Sequence, residues 1–145
     1  MNQDHYRKLE QMYAEAPINQ YFRPRLTIGE GRAELRIPVR PDFFHAAQAV
    51  HGTVYFKAMD DAAFFAAASL VEDVFVLTAG FTLHLLRPIA SGEMIATATV
   101  VSRSRAQLIA DTVVHDGAGV QLARGTGTFM RSTIPLTEEI GYRLP

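Results

Sequence analysis

The 145-residue sequence contains no cysteine. The chain therefore cannot form a disulfide, ligate a metal through a thiolate or use a cysteine nucleophile. A long uncharged apolar run is also missing, since no window reaches the roughly 18 residues that a membrane-spanning helix requires. The opening residues, MNQDHYRKLEQMY, are polar and charged and lack the apolar core of a signal peptide. We therefore expect a soluble, cytoplasmic protein.

A charge excess of either sign is missing as well. The formal net charge is -1, which provides no broad positive field for nucleic acid or an acidic membrane. The content of 48% hydrophobic and 20% charged residues is typical of a globular protein, and the length suits one compact domain. We predict a single domain over residues 1–145, with a helical arm over 1–17 and a loosely held C-terminal tail over 132–145.

The spacing of apolar residues divides the chain into helical and extended segments. Near the N-terminus, helical spacing predicts a short helix that Asp4 caps and that ends before Pro17. Residues 26–39 alternate between apolar and polar side chains on both sides of two glycines, which predicts a hairpin or a bulged strand. After Asp73 the alternation predicts four long antiparallel strands arranged as a meander.

Between these regions, residues 49–70 read AVHGTVYFKAMDDAAFFAAASL. This pattern predicts a central helix that is apolar on most sides, with alanines that allow strands to approach closely. This helix lies between an early strand region and a later one. The simplest packing is a single sheet that wraps around the helix, which is an α+β fold.

Two adjacent carboxylates interrupt this helix. Successive helical residues point about 100° apart, so Asp60 and Asp61 cannot share one environment. Asp61 lies four residues after Lys57 and is expected to form an ordinary surface ion pair. Asp60 lies on an apolar stripe, where a carboxylate loses hydration and needs either hydrogen-bond donors or a chemical task. The sequence leaves open whether Asp60 bridges a backbone group at a subunit contact or takes part in a reaction.

A His-Gly pair, His51 and Gly52, directly precedes the helix. A helix start presents unpaired N–H groups and the positive end of the helix dipole, which suit an oxyanion or a polarised carbonyl. Gly52 allows a ligand to approach this backbone, whereas His51 either takes part in the chemistry or is bonded within its loop. The remaining histidines, including His45, His84 and His115, have no metal-site spacing, so we expect no metal.

Three features together resemble the hotdog-fold acyl-CoA thioesterases, in particular their PaaI-like branch. They are HGTVYFKAMD at 51–60, TAGFTLHLLRPIASGE at 78–93, and the long strands that follow. The resemblance covers roughly residues 20–131. It implies a hotdog fold, in which a single antiparallel sheet wraps around the long helix, and homodimers whose sheets join, often paired further into tetramers. It also places the active sites at the dimer interface.

The resemblance implies hydrolysis of acyl-CoA thioesters, with coenzyme A as part of the substrate and no other cofactor. Asp60 matches the essential helix carboxylate of the family. Gly52 matches the backbone donor that polarises the thioester carbonyl, and Thr78 matches a hydroxyl that reaches the site from the partner subunit. A carboxylate at position 60 would act as a general base or as a nucleophile.

Two positions depart from the family pattern. Thr53 stands where this branch usually has a second glycine, and His45 stands where it usually has an asparagine. An imidazole still donates a hydrogen bond but also titrates near neutral pH. His51 or His45 is expected to hold the carbonyl side of the substrate.

Aromatic residues of the helix and several arginines complete the expected site. Tyr55, Phe56 and Phe64 either line a pocket for short, medium or aromatic acyl groups or pack the helix on the sheet. The phosphates of coenzyme A are expected to contact arginines at strand ends. These are Arg87, Arg103, Arg105 and Arg131.

Three other functions fit parts of the sequence. A hotdog dehydratase also uses a histidine and an acid, but its His-Phe-Pro-Gly sequence is missing where this chain has HAAQAVHG. The substitutions Thr53 and His45 are compatible with an acyl-CoA binding protein that does not hydrolyse its ligand. A purely structural oligomer is the third alternative.

Overall fold

The computed structural model describes residues 2–145, which form one six-stranded antiparallel sheet around a long central helix. The predicted α+β architecture with a short N-terminal helix is confirmed. None of the helices within residues 2–145 is both long and apolar enough to cross a membrane. The helices are α1 (Gln3–Glu15), α2 (Pro17–Phe22) and α3 (Gly52–Ala68), with 3-10 turns at Pro41–Phe43 and Glu138–Ile140. The strands are β1 (Arg25–Gly29), β2 (Arg32–Pro38), β3 (Val74–Leu85), β4 (Glu93–Arg103), β5 (Gln107–His115) and β6 (Gln121–Pro135).

The central helix α3 begins where the sequence predicted, because His51 caps it. His51 has extended backbone angles, and its Nδ1 accepts the backbone N–H of Thr53 at 3.1 Å. The helix rests on the sheet through small side chains, which allow the strands to pack closely against it. The fully buried alanines of α3 are Ala58, Ala62, Ala63, Ala66 and Ala67.

The N-terminal arm contains two helices instead of the single predicted one. Asn2 caps α1 by accepting the backbone N–H of His5 at 3.1 Å, so the prediction that Asp4 is the cap is wrong. Asp4 lies in the first turn, where its charge complements the helix dipole. Pro17 begins α2 as well as ending α1, because its fixed φ angle suits the first helical position.

The order of strands in the sheet is β1-β2-β4-β5-β6-β3. The predicted hairpin is confirmed as β1–β2, which turns at Gly31 with a φ of 65°. The predicted four-strand meander is wrong, because β3 pairs with β6 along its length while β4 pairs with β2. Alternation of side chains specifies a strand but not its partner, and the connection over 86–92 carries the chain across the sheet. As a result β3 lies at a sheet edge.

The C-terminal segment differs from the predicted tail. Strand β6 runs to Pro135, so the segment outside the sheet begins at 136 and not at 132. It packs on α1, where Tyr142 Oη and His5 Nδ1 are hydrogen bonded at 2.6 Å and Arg143 pairs with Glu15 at 2.6 Å. These contacts and the packing of Tyr142 against the core anchor the segment at α1, and how loosely the tail is held stays a prediction.

Candidate active site

Asp60 lies half-buried in the middle of α3, facing β3. Its Oδ1 accepts a hydrogen bond of 2.8 Å from Thr78 Oγ1. The contact forms because β3 follows α3 after a short turn and runs back along it, so that Leu85, near the end of β3, reaches Gly52 at the helix start. Asp60 and Thr78 thus meet within one chain, which corrects the expectation that Thr78 comes from a partner subunit.

The surroundings of Asp60 favour its protonated form. Burial raises the pKa of the Asp60 carboxyl above its ordinary value, and the neighbouring charge of Asp61 adds to the rise. The hydrogen bond from Thr78 and the charge of Lys57 oppose it. A carboxylate with a raised pKa is a stronger base, so the position suits proton abstraction from water.

Asp61 forms a separate polar cluster beside Asp60. Its Oδ2 accepts hydrogen bonds from Lys57 Nζ at 2.7 Å and from the Tyr13 hydroxyl at 2.5 Å. The predicted Lys57–Asp61 pair is confirmed, but it is not an ordinary surface pair, because the two side chains are only 12% and 18% exposed. Burial and the adjacent Asp61 raise the pKa of Tyr13, which therefore remains protonated and donates.

The start of α3 brings the two candidate histidines together. Both are exposed, and their ring centroids are 6.5 Å apart. Nδ1 of His51 lies 2.9 Å from the Thr53 hydroxyl, while Nδ1 of His45 accepts a backbone N–H within its own turn at 3.0 Å. A Cβ on Gly52 would lie 3.0 Å from a methyl of Leu85, so glycine provides close approach here. Within residues 2–145 no three acidic or histidine side chains form a metal-binding group.

One chain does not bring the helix start to the carboxylate. Gly52 and Asp60 are eight residues apart on one helix, or about 12 Å along its axis. The atom that attacks a thioester lies roughly 3–3.5 Å from the carbonyl carbon. The oxygen bonded to that carbon must at the same time lie within hydrogen-bond distance of its N–H donor. Gly52 and Asp60 of the same chain therefore cannot act on the same thioester.

Asp60 and Thr78 line a pocket of about 700 Å³. Of the three residues expected to line it, only Phe64 does so. Tyr55 is buried on another side of the helix, where its hydroxyl donates to the carbonyl oxygen of Arg87 at 2.8 Å. Phe56 lies one turn nearer the helix start and packs edge-on against a ring of β3. Tyr55 and Phe56 therefore do not line the pocket beside Asp60, because Tyr55 points about 140° away from Asp60 around the helix and Phe56, on the same face, lies one turn nearer the helix start.

Most of the pocket wall was not predicted from the sequence. Besides residues of β3, the wall includes isoleucines of α2, of the end of β6 and of the C-terminal turn. Two of these are single large apolar residues within polar segments, and that isolation is the signal that could have identified them. The residues that were not predicted include Ile18, Phe75, Leu77, Ile134 and Ile140.

The four candidate arginines do not form one group. Arg103, Arg105 and Arg131 line a surface depression next to Leu70, just beyond the end of α3, and Arg131 is paired there with an aspartate. Arg87 lies near the beginning of the same helix, about 25 Å away along its axis. No single phosphate can contact Arg87 and the other three in one chain.

Fold and site define a hotdog protein in which a carboxylate of the central helix is hydrogen bonded to a hydroxyl of the adjacent strand β3. The family model of the thioesterase superfamily matches residues 47–123, which include Gly52, Asp60 and Thr78, and the chain belongs to that superfamily. The resemblance seen in the sequence is thereby confirmed. A comparison with curated protein sequences finds no match.

Solved structures share the fold over nearly their whole length. The Escherichia coli PaaI protein of the phenylacetic acid degradation operon superposes with a TM-score of 0.83 at 20% identity, over 92% of this chain and 97% of the other. A thioesterase family protein from Silicibacter pomeroyi gives 0.80 at 27% identity, over 87% and 96%. A conserved protein from Pseudomonas aeruginosa gives 0.78 at 26% identity, over 85% and 98%.

Proposed function

We propose that the protein hydrolyses acyl-CoA thioesters to a carboxylic acid and free coenzyme A. The observation that carries this proposal is the half-buried Asp60 carboxylate, hydrogen bonded to Thr78 in an apolar pocket. Membership of the thioesterase superfamily supports the reaction class. Coenzyme A enters as part of the substrate, and side chains and backbone supply the chemistry.

In the proposed reaction, Asp60 takes a proton from a water molecule whose oxygen attacks the thioester carbonyl carbon. Direct attack by the carboxylate, followed by hydrolysis of the anhydride, is the alternative route. A backbone N–H at a helix start binds the negative oxygen that develops. The carbon–sulfur bond then breaks, and the thiol, with a pKa of roughly 8.5, leaves as a thiolate without a strong general acid. Thr78 orients the carboxylate.

The site is completed by a second copy of the chain. Because Gly52 lies about 12 Å from Asp60 along the helix, the oxyanion donor for one carboxylate comes from the other copy. Strand β3 offers the means of association, since it has twelve residues, a free edge, and Leu77 and Leu85 that are 47% and 49% exposed. Pairing of two such edges would join two sheets and remove an aggregation-prone edge.

The test measures free thiol released from a panel of acyl-CoA thioesters. Wild-type protein is expected to turn over at least one of them, and Asp60→Asn is expected to lower kcat by at least about 100-fold while retaining binding. Asp111→Asn is the matched control, because Asp111 accepts a 2.8 Å hydrogen bond from a threonine on the exposed surface of the sheet. Tight binding of acyl-CoA without thiol release by the wild type would instead identify a binding protein.

A further inference from the structure

Two segments far apart in sequence close the outer side of the Asp60 pocket. The N-terminal arm supplies Met12 and Ile18, and the C-terminal turn supplies Ile140 and Gly141. The segments touch, because a Cβ on Gly141 would lie 3.1 Å from the Cα of Met12. Both segments lie outside the span that the family model matches. The outer wall is therefore formed by the two terminal segments and not by the core that the family model matches.

The interior of the pocket suits an uncharged, apolar group. Asp61 accepts hydrogen bonds from both Lys57 and Tyr13, so the charge of Lys57 is already compensated by a carboxylate. Beyond them the wall is aromatic, with the rings of Phe64 and Phe75 5.2 Å apart. A negatively charged acyl group would lose its hydration there and would have to compete with Asp61 for Lys57. The lining carboxylates Glu15 and Glu139 further disfavour negatively charged groups.

The distances from the Asp60–Thr78 pair to the two aromatic rings set a scale for the length of that group. From Asp60 to Phe64 the helix advances four residues, or about 6 Å. From Thr78 back to Phe75 the strand spans three residues, or about 10 Å. An extended chain covers three bonds per residue and so advances roughly 1.2 Å per bond. The two walls therefore accommodate about five to eight bonds.

We propose that this pocket binds the acyl group of the substrate, that the group is uncharged and about six to eight carbons long, and that the arm and the C-terminal turn set its length. The proposal rests on the proposed thioester hydrolysis. Ile140 of the turn lies on the outer wall and is partly exposed, so it is the position at which the length limit is most easily changed.

The experiment measures kcat/KM for straight-chain acyl-CoAs from acetyl to hexadecanoyl. For the wild type we expect a maximum near hexanoyl and octanoyl. Ile140→Trp adds bulk to the pocket and is expected to lower the octanoyl-to-acetyl ratio of kcat/KM at least tenfold. Ile140→Ala opens the wall and is expected to move the maximum to longer chains. Leu144→Trp is the matched control, because Leu144 is exposed in the same segment but does not line the pocket. Its profile should equal that of the wild type.

Calorimetry on an Asp60→Asn background measures the affinity of the pocket for acyl-CoA thioesters without turnover. Adding Ile140→Trp to that background is expected to weaken octanoyl-CoA binding at least tenfold more than acetyl-CoA binding. If neither Ile140 variant changes the chain-length profile or the binding ratio, the acyl group lies elsewhere, while thiol release by the wild type would still support the hydrolase. If the wild type releases no thiol but the binding ratio changes as expected, the hydrolase fails and the pocket assignment stands.

Discussion

Replacing Thr78 by valine tests the role of the hydrogen bond that it donates to Asp60. Valine keeps the shape of threonine and removes only the hydroxyl, which lies 2.8 Å from the carboxylate. A hydrogen bond to a charged acceptor contributes about 1.5–3 kcal/mol. The hydroxyl favours the charged ground state and acts on the rate by orienting the carboxylate, so this energy is an upper limit on the change in barrier. Since each 1.36 kcal/mol of barrier is roughly a tenfold change in rate, we expect kcat/KM to fall by up to about 100-fold.

The same substitution is expected to change the pH dependence. The Thr78 hydroxyl stabilises the charged form of Asp60, and its loss therefore raises the pKa of that carboxyl further. A base is active only when deprotonated, so kcat/KM declines as the pH falls through this pKa. The acid limb of the profile should move to higher pH in Thr78→Val.

The assay is kcat/KM for hexanoyl-CoA hydrolysis measured across about pH 4 to 8. Thr126→Val is the control, because Thr126 donates a 2.8 Å hydrogen bond to Asp111 on the exposed surface of the sheet and should change neither the rate nor the limb. A Thr78→Val protein with the wild-type rate and the wild-type acid limb would show that this hydroxyl does not act on Asp60.

Three further substitutions are expected to give distinct results. Asp60→Asn should stabilise the protein at neutral pH by about 1 kcal/mol, or roughly 3 °C in Tm. The reason is that burial raises the pKa of Asp60, so that its ionised form costs folding free energy. The gain should disappear as the pH falls through the pKa of folded Asp60; a gain that persists in acid would contradict this cause. Tyr13→Phe should lower the free energy of unfolding in urea by about 1–2 kcal/mol, because Asp61 loses a buried donor, whereas equal stability would show that the bond contributes nothing. Gly52→Pro should lower kcat about 100- to 1000-fold because it removes the backbone N–H. Proline fits the first helical position and the extended backbone of His51 suits a residue before proline, so any loss of Tm should be confined to the shift of the Leu85 methyl that a Cβ would meet at 3.0 Å. A fully active Gly52→Pro protein would exclude that N–H as the oxyanion donor.

The sequence predicted those parts of the fold and site that depend on local spacing. Period-two alternation located the strands, and the run of alanines located the central helix. The Lys57–Asp61 pair followed from helical spacing of four residues, and the 100° step correctly separated Asp60 from Asp61.

What the sequence did not predict depends on contacts between distant segments. The pairing of β3 with β6 is set by how the chain crosses the sheet, which alternation does not encode. Tyr13 reaches Asp61 across 48 residues, and the pocket wall joins both ends of the chain. The intrachain bond between Thr78 and Asp60 depends on β3 running back along α3, which the periodicity of either element alone cannot show.

The most direct test of a site shared by two copies is a mixed dimer of two inactive variants. Asp60→Asn and Gly52→Pro proteins are each inactive in this account, but a dimer with one chain of each retains one intact pair of carboxylate and N–H donor. Random mixing by co-refolding yields about half mixed dimers, each with one of two sites intact, so about a quarter of the wild-type rate of thiol release should return. A mixture that remains as inactive as its components, although mixed dimers are present, would contradict the shared site.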